Sequence, residues 1–592
     1  MAPRIYTSPI PDVPIVETSV FSHLFSSPSE GIIGGYPSTA RAFVDAASGT
    51  TITRGQLKQL ALTMGFGLRD HPGTAVKRGE VVLIYSQNSL NWPVALFGSV
   101  AAGMRCTLAN SAYTPKELAY QYTDSGARLV MASEEGLATV MEMFRELGLG
   151  KAEAAGRVIV LGSSLEWAGG PAAPKKTEAT GLLRMEDLLK RGALREEEKF
   201  EGQLAHETVY LCYSSGTTGK PKGVESTHKN LTSVLEIVKP TFPKLNADHD
   251  SVLGFLPFYH IYGAVKLLHF PFACGSAVII QSRFDPEQFC ASIERYKVTV
   301  ALIVPPVLVV LARHPAVKKY NISSLRTLFS GAAPLGATLV KQVTERLKVD
   351  GRATVDILQG YGLTETSPTT HLLPVPDALR KIGSIGILLA NLEARLLVDG
   401  DGDGDVEAEE GQPGELWFRG PTIMKGYLNN ATATKDSITA DGWFKTGDIA
   451  IRDKEGYYYI VDRRKELIKY KGFQVPPAEL ESVLLTHPEI ADAAVIGVDS
   501  AKEATELPRA YVVHAQPDKV KTDAAKIAFQ DSVKKWIQER VARHKFLRGG
   551  VIVIDIVPKS AAGKILRREL RERAKVELQG RDPADDAARA KL

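Results

Sequence analysis

The chain has 592 residues, 44% of them hydrophobic and 24% charged, with a formal net charge of +4. This is globular composition, long enough for several cores and about four domain-sized units, and so small a charge gives no electrostatic case for a nucleic-acid partner. Its four cysteines, Cys106, Cys212, Cys274 and Cys290, show neither C-x-x-C pairing nor metal-ligand spacing, which argues against a disulfide framework or a structural zinc. The first 17 residues lack the charged and apolar blocks of a secretory signal. The longest apolar stretch, residues 298–312, contains Pro305 and Pro306 and is too short to span a bilayer.

Residues 54–68 read as an amphipathic helix, 81–85 as a buried strand and 92–102 as a helix. Strand, helix and strand repeat over 106–108, 114–125 and 129–132, which predicts a parallel sheet covered by helices. Residues 162–205, rich in Gly, Ala, Pro and charge, read as surface connections. Apolar strands follow at 252–257, 277–280 and 300–304, with helices between them. Strands at 392–398, 414–418 and 457–461, separated by turns, predict an antiparallel or barrel-like subdomain. A smaller α+β unit comes next, with helices at 477–486 and 523–543 and strands at 493–498, 509–515 and 551–554. The main boundary falls at Asp462/Arg463, where a strand gives way to a Lys/Arg run.

Four segments carry chemistry. After a strand at 209–213 comes Ser214-Ser215-Gly216-Thr217-Thr218-Gly219, with Lys220 and Lys222 following. Glycines let successive N–H groups face one anion, hydroxyls add donors and lysines add charge, so the loop is suited to a polyphosphate. It is not a Walker loop, because Gly216 and Gly219 are three apart and Pro221 follows Lys220. The second segment, Gln359-Gly360-Tyr361-Gly362-Leu363-Thr364-Glu365, offers an open aromatic face, a hydroxyl and a hard oxygen ligand suited to Mg²⁺. The third pairs Thr446-Gly447-Asp448 with a basic run from Arg463 to Lys471. The fourth, Pro558 to Ile565, places Lys564 next to Gly563 on a loop. Each of these alone is compatible with a solvated turn.

Together and in this order, the four segments resemble those of the adenylate-forming superfamily, and among them the 4-coumarate–CoA ligase-like acyl-CoA synthetases, over roughly residues 38–573. The resemblance implies an α/β chain: residues 1–462 as an AMP- and acyl-binding domain of two α/β subdomains plus a β-barrel-like one, 463–575 as a mobile α+β domain, and 576–592 as a tail. It implies ATP, Mg²⁺ and CoA as partners, an acyl-AMP intermediate formed with loss of pyrophosphate, and a CoA thioester product. By motif position, Ser214 to Gly219 and Lys222 would hold the β- and γ-phosphates. Tyr361 would stack on adenine beside Gln359 and Gly360, Thr364 would contact the α-phosphate, and Glu365 would bind Mg²⁺. Asp448 and Arg463 would hold the ribose. Lys564 would serve adenylation, Lys465 and Lys469 the thioester-forming arrangement, and Lys471 and Gly472 CoA; rotation about Asp462 would exchange the two sets. Arg283, before Phe284-Asp285-Pro286, keeps the charge of a CoA-contacting lysine.

Pro257 to Gly263 resembles the family's P-x-F-H-I-Y segment and puts His260 beside the expected acyl carbonyl, where amino-acid-activating relatives carry an Asp. Tyr262, Lys266, Phe329, Ala332, Gly362, Pro368 and Thr369 match pocket positions and suit an aryl or medium-chain acid. Lys266 replaces a small residue; it either points away or meets an anionic substrate end. The acidic tract 399–410 satisfies an EF-hand pattern, but strands flank it, and a solvated hairpin is the better reading. The terminal Ala590-Lys591-Leu592 is close to the Ser-Lys-Leu address, which predicts recognition by the peroxisomal import receptor and a peroxisomal, otherwise cytoplasmic, location. Two other activities share the adenylation motifs: a luciferase-like oxygenase and a stand-alone adenylation enzyme that loads a carrier protein.

Overall fold

A computed structural model describes residues 4–174, 179, 181–214, 220–333, 335–348, 355–398, 406–471, 473–560 and 563–584. Ser215 to Gly219, Gly472, the core of the acidic tract at 399–405, and Ala590-Lys591-Leu592 lie outside them.

Two large sheets dominate. One runs Leu183–Arg184, Val158–Leu161, Ala127–Ser133, Val81–Tyr85, Arg105–Ala109, Thr208–Ser214, Lys222–Thr227, Gly426–Tyr427. Its centre is parallel, and all five residues of Val81–Tyr85 are buried, as expected of a strand covered on both faces. The crossover helices carry strong start signals. Thr53 and Gln56 form a capping box for Arg54–Asp70, and Thr114 and Glu117 do so for Pro115–Ser125, with Pro at its first turn. The segment 162–205 holds more structure than predicted. Leu183–Arg184 adds a parallel edge strand, and Arg184 is buried in an ion pair with Glu134 at 2.9 Å.

The second sheet runs Ile387–Leu388, His371–Leu372, Asp356–Tyr361, Thr327–Ser330, Val300–Ile303, Ser251–Gly254, Ala277–Ile280, Arg41–Asp45, Thr51–Thr53. The strand expected over 252–257 stops at Gly254, and Phe255 and Leu256 leave the sheet edge toward His260. A third, antiparallel sheet joins Glu393–Leu397, Gly414–Arg419, Phe444–Arg452 and Tyr458–Arg463 with Tyr6–Thr7 from the start of the chain.

Beyond residue 463, Ile490–Ser500, Thr505–His514 and Val551–Val553 form a sheet packed by the helices Pro477–Leu484, Asp523–Gln538 and Arg567–Glu577. Its apolar core, from Ile468 to Ala574, is separate from the core that runs from Val20 to Tyr458. Each large apolar side chain so buried contributes about 1.5–3 kcal/mol. Among the described residues, no helix is long and apolar enough to cross a membrane.

Candidate active site

The strand Asp356–Tyr361 pairs in parallel with Thr327–Ser330, so Gln359 lies opposite Ser330 at the end of the sheet from which loops emerge. Gly360 is required here: a Cβ on it would sit 2.3 Å from the Phe329 ring. The chain then turns into the short helix Thr364–Thr366, closed by the Leu363 N–H donating to Thr366 Oγ1 at 2.8 Å. That turn places the buried Glu365 where Tyr427 Oη donates to its Oε1 at 2.9 Å, while Lys222 Nζ lies 4.1 Å above the Tyr427 ring. The described residues hold no cluster of three His, Cys, Asp or Glu side chains able to make an all-protein metal cage. One buried carboxylate facing a cavity instead fits Mg²⁺, which keeps waters and substrate phosphates as its other ligands.

Across the cleft, Asp448 and Arg463 are register partners on adjacent strands, and Arg463 Nε approaches Asp448 Oδ1 at 3.1 Å. Asp448 Oδ2 also accepts from Tyr361 Oη. Burial, then the Asp448 charge, holds the Tyr361 phenol well above its usual range, so it stays a donor and its ring stays fixed. Asp448 raises the Arg463 guanidinium further, so this cation is permanent.

The acyl side is built from the segment after Gly254. His260 caps the turn Ile261–Gly263, its Nδ1 accepting from the Tyr262 N–H at 3.2 Å. Burial and the nearby Lys564 push His260 down to about 4. The ring is therefore neutral near pH 7, and because Nδ1 accepts, the proton belongs on Nε2. Tyr262 Oη donates to the Phe329 carbonyl at 3.2 Å, which braces the two aromatic walls against each other.

A cavity of about 690 Å³ joins these parts. Ser214, Lys222, Tyr361, Thr364 and Glu365 line one side, and His260, Tyr262, Phe329 and Gly360 another. Ala332, Gly362, Pro368 and Thr369 complete the acyl end, while Arg463, Lys465 and Lys564 close it from the C-terminal side. Gln359 and Asp448 line an adjoining cleft of about 890 Å³ between the two cores. Lys564 closes a tight hairpin in which Lys559 bridges Ile565 and the Ser560 N–H donates to the Lys564 carbonyl at 2.8 Å. Gly563, at φ +79°, packs against Val304, where a Cβ would meet Val304 Cγ2 at 3.2 Å. Burial and then Arg463 push the Lys564 ammonium down to about 8.

Among the described residues, Lys469, Lys471, Arg283 and Lys266 are not brought in. Lys469 and Lys471 lie on the hairpin Ile468–Tyr470/Phe473–Val475; Lys471 Nζ pairs with Glu503 at 2.5 Å, and the Lys469 N–H donates to Glu506. Arg283 is exposed. Lys266 is 3% exposed but does not line the cavity; its Nζ lies 5.1 Å from the Phe270 ring and has no hydrogen-bond partner among the described residues. Burial pushes it down to about 7. Of the two orientations open to it, it takes the one that points away from the cavity, into the protein interior. Its stretch, Ala264–His269, is π-helical. Tyr427, which fixes Glu365, and Asp124, which accepts from Tyr213 Oη at 2.6 Å, carry no sequence signal that would have singled them out.

Comparison with known proteins agrees with this geometry. The chain matches the family models described as AMP-binding enzyme, over residues 33–428, and AMP-binding enzyme C-terminal domain, over residues 479–564. It is 36% identical to the 4-coumarate–CoA ligase-like 4 of Oryza sativa subsp. japonica, covering 96% of each chain. It is 33% identical to the Peroxisomal OPC-8:0-CoA ligase 1 of Arabidopsis thaliana, covering 95% of this chain and 94% of that one. Its fold matches the solved O-succinylbenzoate coenzyme A synthetase of Bacillus subtilis in complex with ATP and magnesium ion. The TM-score is 0.72 at 26% identity, over 93% of this chain and 99% of that one.

Proposed function

Because the chain belongs to the AMP-binding enzyme family and is an AMP-forming acid–thiol ligase, we propose that it activates an aryl or medium-chain carboxylic acid and passes the acyl group to CoA. The observation that carries this reading is the convergence of Lys564, His260, Thr364 and Glu365 on one cavity. The acid's carboxylate oxygen attacks the α-phosphorus of ATP, the bond to the β-phosphate breaks, and pyrophosphate leaves. Two anions must meet for this to happen. Lys564 supplies the cation between them, and its contacts strengthen as charge builds on the phosphorus. Tyr361 packs the adenine, and Asp448 with Arg463 receives the ribose. Mg²⁺ held through Glu365 would neutralise phosphate charge. Neutral His260 donates from Nε2 toward the carboxyl group, and the Tyr262 and Phe329 walls supply an apolar, aromatic berth. CoA then attacks the acyl carbonyl and displaces AMP. Lys465, Lys469, Lys471, Gly472 and Arg283 serve that second step after residues 463–575 rotate about Asp462, away from the arrangement seen here. Two findings support CoA over oxygen or a carrier protein as acceptor: the relatives are named as CoA ligases, and Lys471 and Gly472 match CoA-contacting positions. The Arabidopsis relative, named as peroxisomal, supports the location and import receptor expected from Ala590-Lys591-Leu592.

The test is pyrophosphate release with Mg-ATP across cinnamic, phenylacetic, benzoic and medium-chain fatty acids, with and without CoA. An aryl or medium-chain acid is expected to trigger release, and a thioester to appear once CoA is added. Absence of release with every acid would sink the reading, and oxygen-dependent light would favour the oxygenase.

The charge on Lys564 sets a pH dependence. The protonated amine is the active form and its pKa is lowered to about 8. Adenylation kcat/KM should therefore fall as pH rises through about 8, since this ratio reports the free enzyme. In Lys564→Arg the guanidinium stays charged, so whatever activity remains should lose that alkaline limb. An unchanged limb in this variant would assign it to another group.

A further inference from the structure

The hairpin that presents Lys564 ends in a buried ion network that none of the motif roles above uses. Arg567, three residues past Lys564 and the first residue of the helix Arg567–Glu577, is a guanidinium with a side chain 10% exposed. Its Nη2 donates to both carboxylate oxygens of Glu481 at 2.7 Å, its Nη1 to Glu466 Oε2 at 2.6 Å, and its Nε to the Val495 carbonyl at 3.2 Å. Glu481 is itself held by the Val495 N–H at 2.8 Å. Glu466 returns to the nucleotide side, because its N–H donates to the carbonyl of Arg463 at 2.9 Å, and Arg463 is the partner of Asp448. The adjacent Asp462 accepts from the Ala478 N–H at 3.0 Å, at the start of the helix that carries Glu481. One guanidinium thus joins the strand end that presents Arg463 to the hairpin that presents Lys564.

We propose that Arg567 is a positioning residue for adenylation: by bridging Glu466 and Glu481 it fixes the Lys564 hairpin at the distance and angle at which the ammonium enters the cavity. Arg567 borders the adjoining cleft but not the cavity shared by His260, Thr364 and Glu365, and its three nitrogens are taken up by Glu466, Glu481 and Val495, so it acts through Lys564. The planar fork is what the position needs. Three donor nitrogens meet two carboxylates and a carbonyl, and a single ammonium cannot satisfy that set. The opposite side of the hairpin is held by one ion pair, Lys559 to Asp492 at 2.6 Å, so Arg567 is the stronger of two anchors. Buried ion pairs of this kind are weak evidence for stability in themselves, which makes a role in placement the more economical reason for this one.

The inference rests on the adenylation role of Lys564 proposed above. The experiment compares two half-reactions in the full chain for Arg567→Lys, Glu466→Gln and Lys564→Ala. One is acid-dependent pyrophosphate release from Mg-ATP; the other is CoA-dependent consumption of a supplied acyl-adenylate. Arg567→Lys and Glu466→Gln are expected to slow pyrophosphate release by roughly 10- to 100-fold, the scale of an ångström of misplacement, and to leave consumption of the adenylate at the wild-type rate. Glu466→Gln keeps a hydrogen-bond acceptor and the volume of the site, so it reports even if the arginine variant folds poorly. Equal loss in both half-reactions would show that the network only folds the domain, and no loss in either would remove any role in placement; both overturn the proposal. A wild-type chain that releases no pyrophosphate, or a Lys564→Ala variant with full release, would overturn the underlying reading of Lys564 instead.

Discussion

Lys564→Ala is expected to slow acyl-adenylate formation by about 10²–10³-fold while transfer from preformed acyl-adenylate to CoA continues at nearly the wild-type rate. The magnitude follows from charge. Two unit charges 4 Å apart at an effective dielectric of 20 interact by about 4 kcal/mol, and a factor of ten in rate is about 1.4 kcal/mol. One ammonium placed between carboxylate and α-phosphate can therefore account for two to three decades. The selectivity follows from geometry. Lys564 enters the cavity beside His260 and Thr364, whereas Lys469 and Lys471 do not line it, and Lys471 Nζ pairs with Glu503 instead. The thermal midpoint should stay level or rise slightly. The lowered pKa of Lys564 means that the fold disfavours its charge, so its removal relieves a desolvation cost. Single-turnover pyrophosphate release, adenylate consumption and a melting curve on one preparation check all three statements. A matched fall in both half-reactions would remove Lys564 from its adenylation-specific role.

Much of this arrangement was legible in the sequence wherever a local pattern carried it. Val81–Tyr85 is an unbroken apolar run between turn signals, and it folds as a fully buried parallel strand. The segments around Tyr361, Asp448 and Lys564 combine residue types rarely found together, and the folded chain brings all three to neighbouring walls. What escaped is carried by pairs far apart in the chain. Tyr6–Thr7 is too short to show any periodicity and becomes a strand only because Glu393–Leu397 offers it an edge. Arg184 looked like one charge in a polar connection, yet Glu134, fifty residues earlier, draws it inside. Lys266 matches a pocket position by motif, yet it is buried beside the Phe270 ring and does not line the cavity, a placement set by packing that the motif does not encode. Arg567 is one of several basic residues in a charged helix, and nothing in its local spacing separates it from those that stay in solvent.

Gly362→Ala is expected to abolish both half-reactions together, by more than about 10²-fold in kcat/KM, in a chain that still folds. The position is constrained by backbone, so no rotamer can relieve it. A Cβ on Gly362 would sit 1.7 Å from the Pro368 carbonyl oxygen, 2.4 Å from its carbon and 2.8 Å from the Thr369 Cα. That close approach exists because Thr370 N–H donates to the Tyr361 carbonyl at 2.8 Å, folding the return segment over the motif. Accommodating a methyl group requires the two segments to part by more than an ångström. Tyr361 would then leave Asp448, and Thr364 and Glu365 would move relative to Lys222 and His260. Such overpacking typically costs 1–3 kcal/mol, which a chain of this size tolerates, so the loss would be one of geometry. The nucleotide wall serves adenylation and thioester formation alike, so neither step should survive, in contrast to the one-sided loss expected of Lys564→Ala. Gly150→Ala is the matched control, because a Cβ there meets nothing within 4 Å and its φ of −67° suits any residue. Retention of either half-reaction in Gly362→Ala would mean that the close approach of Gly362 and Pro368 does not shape the site.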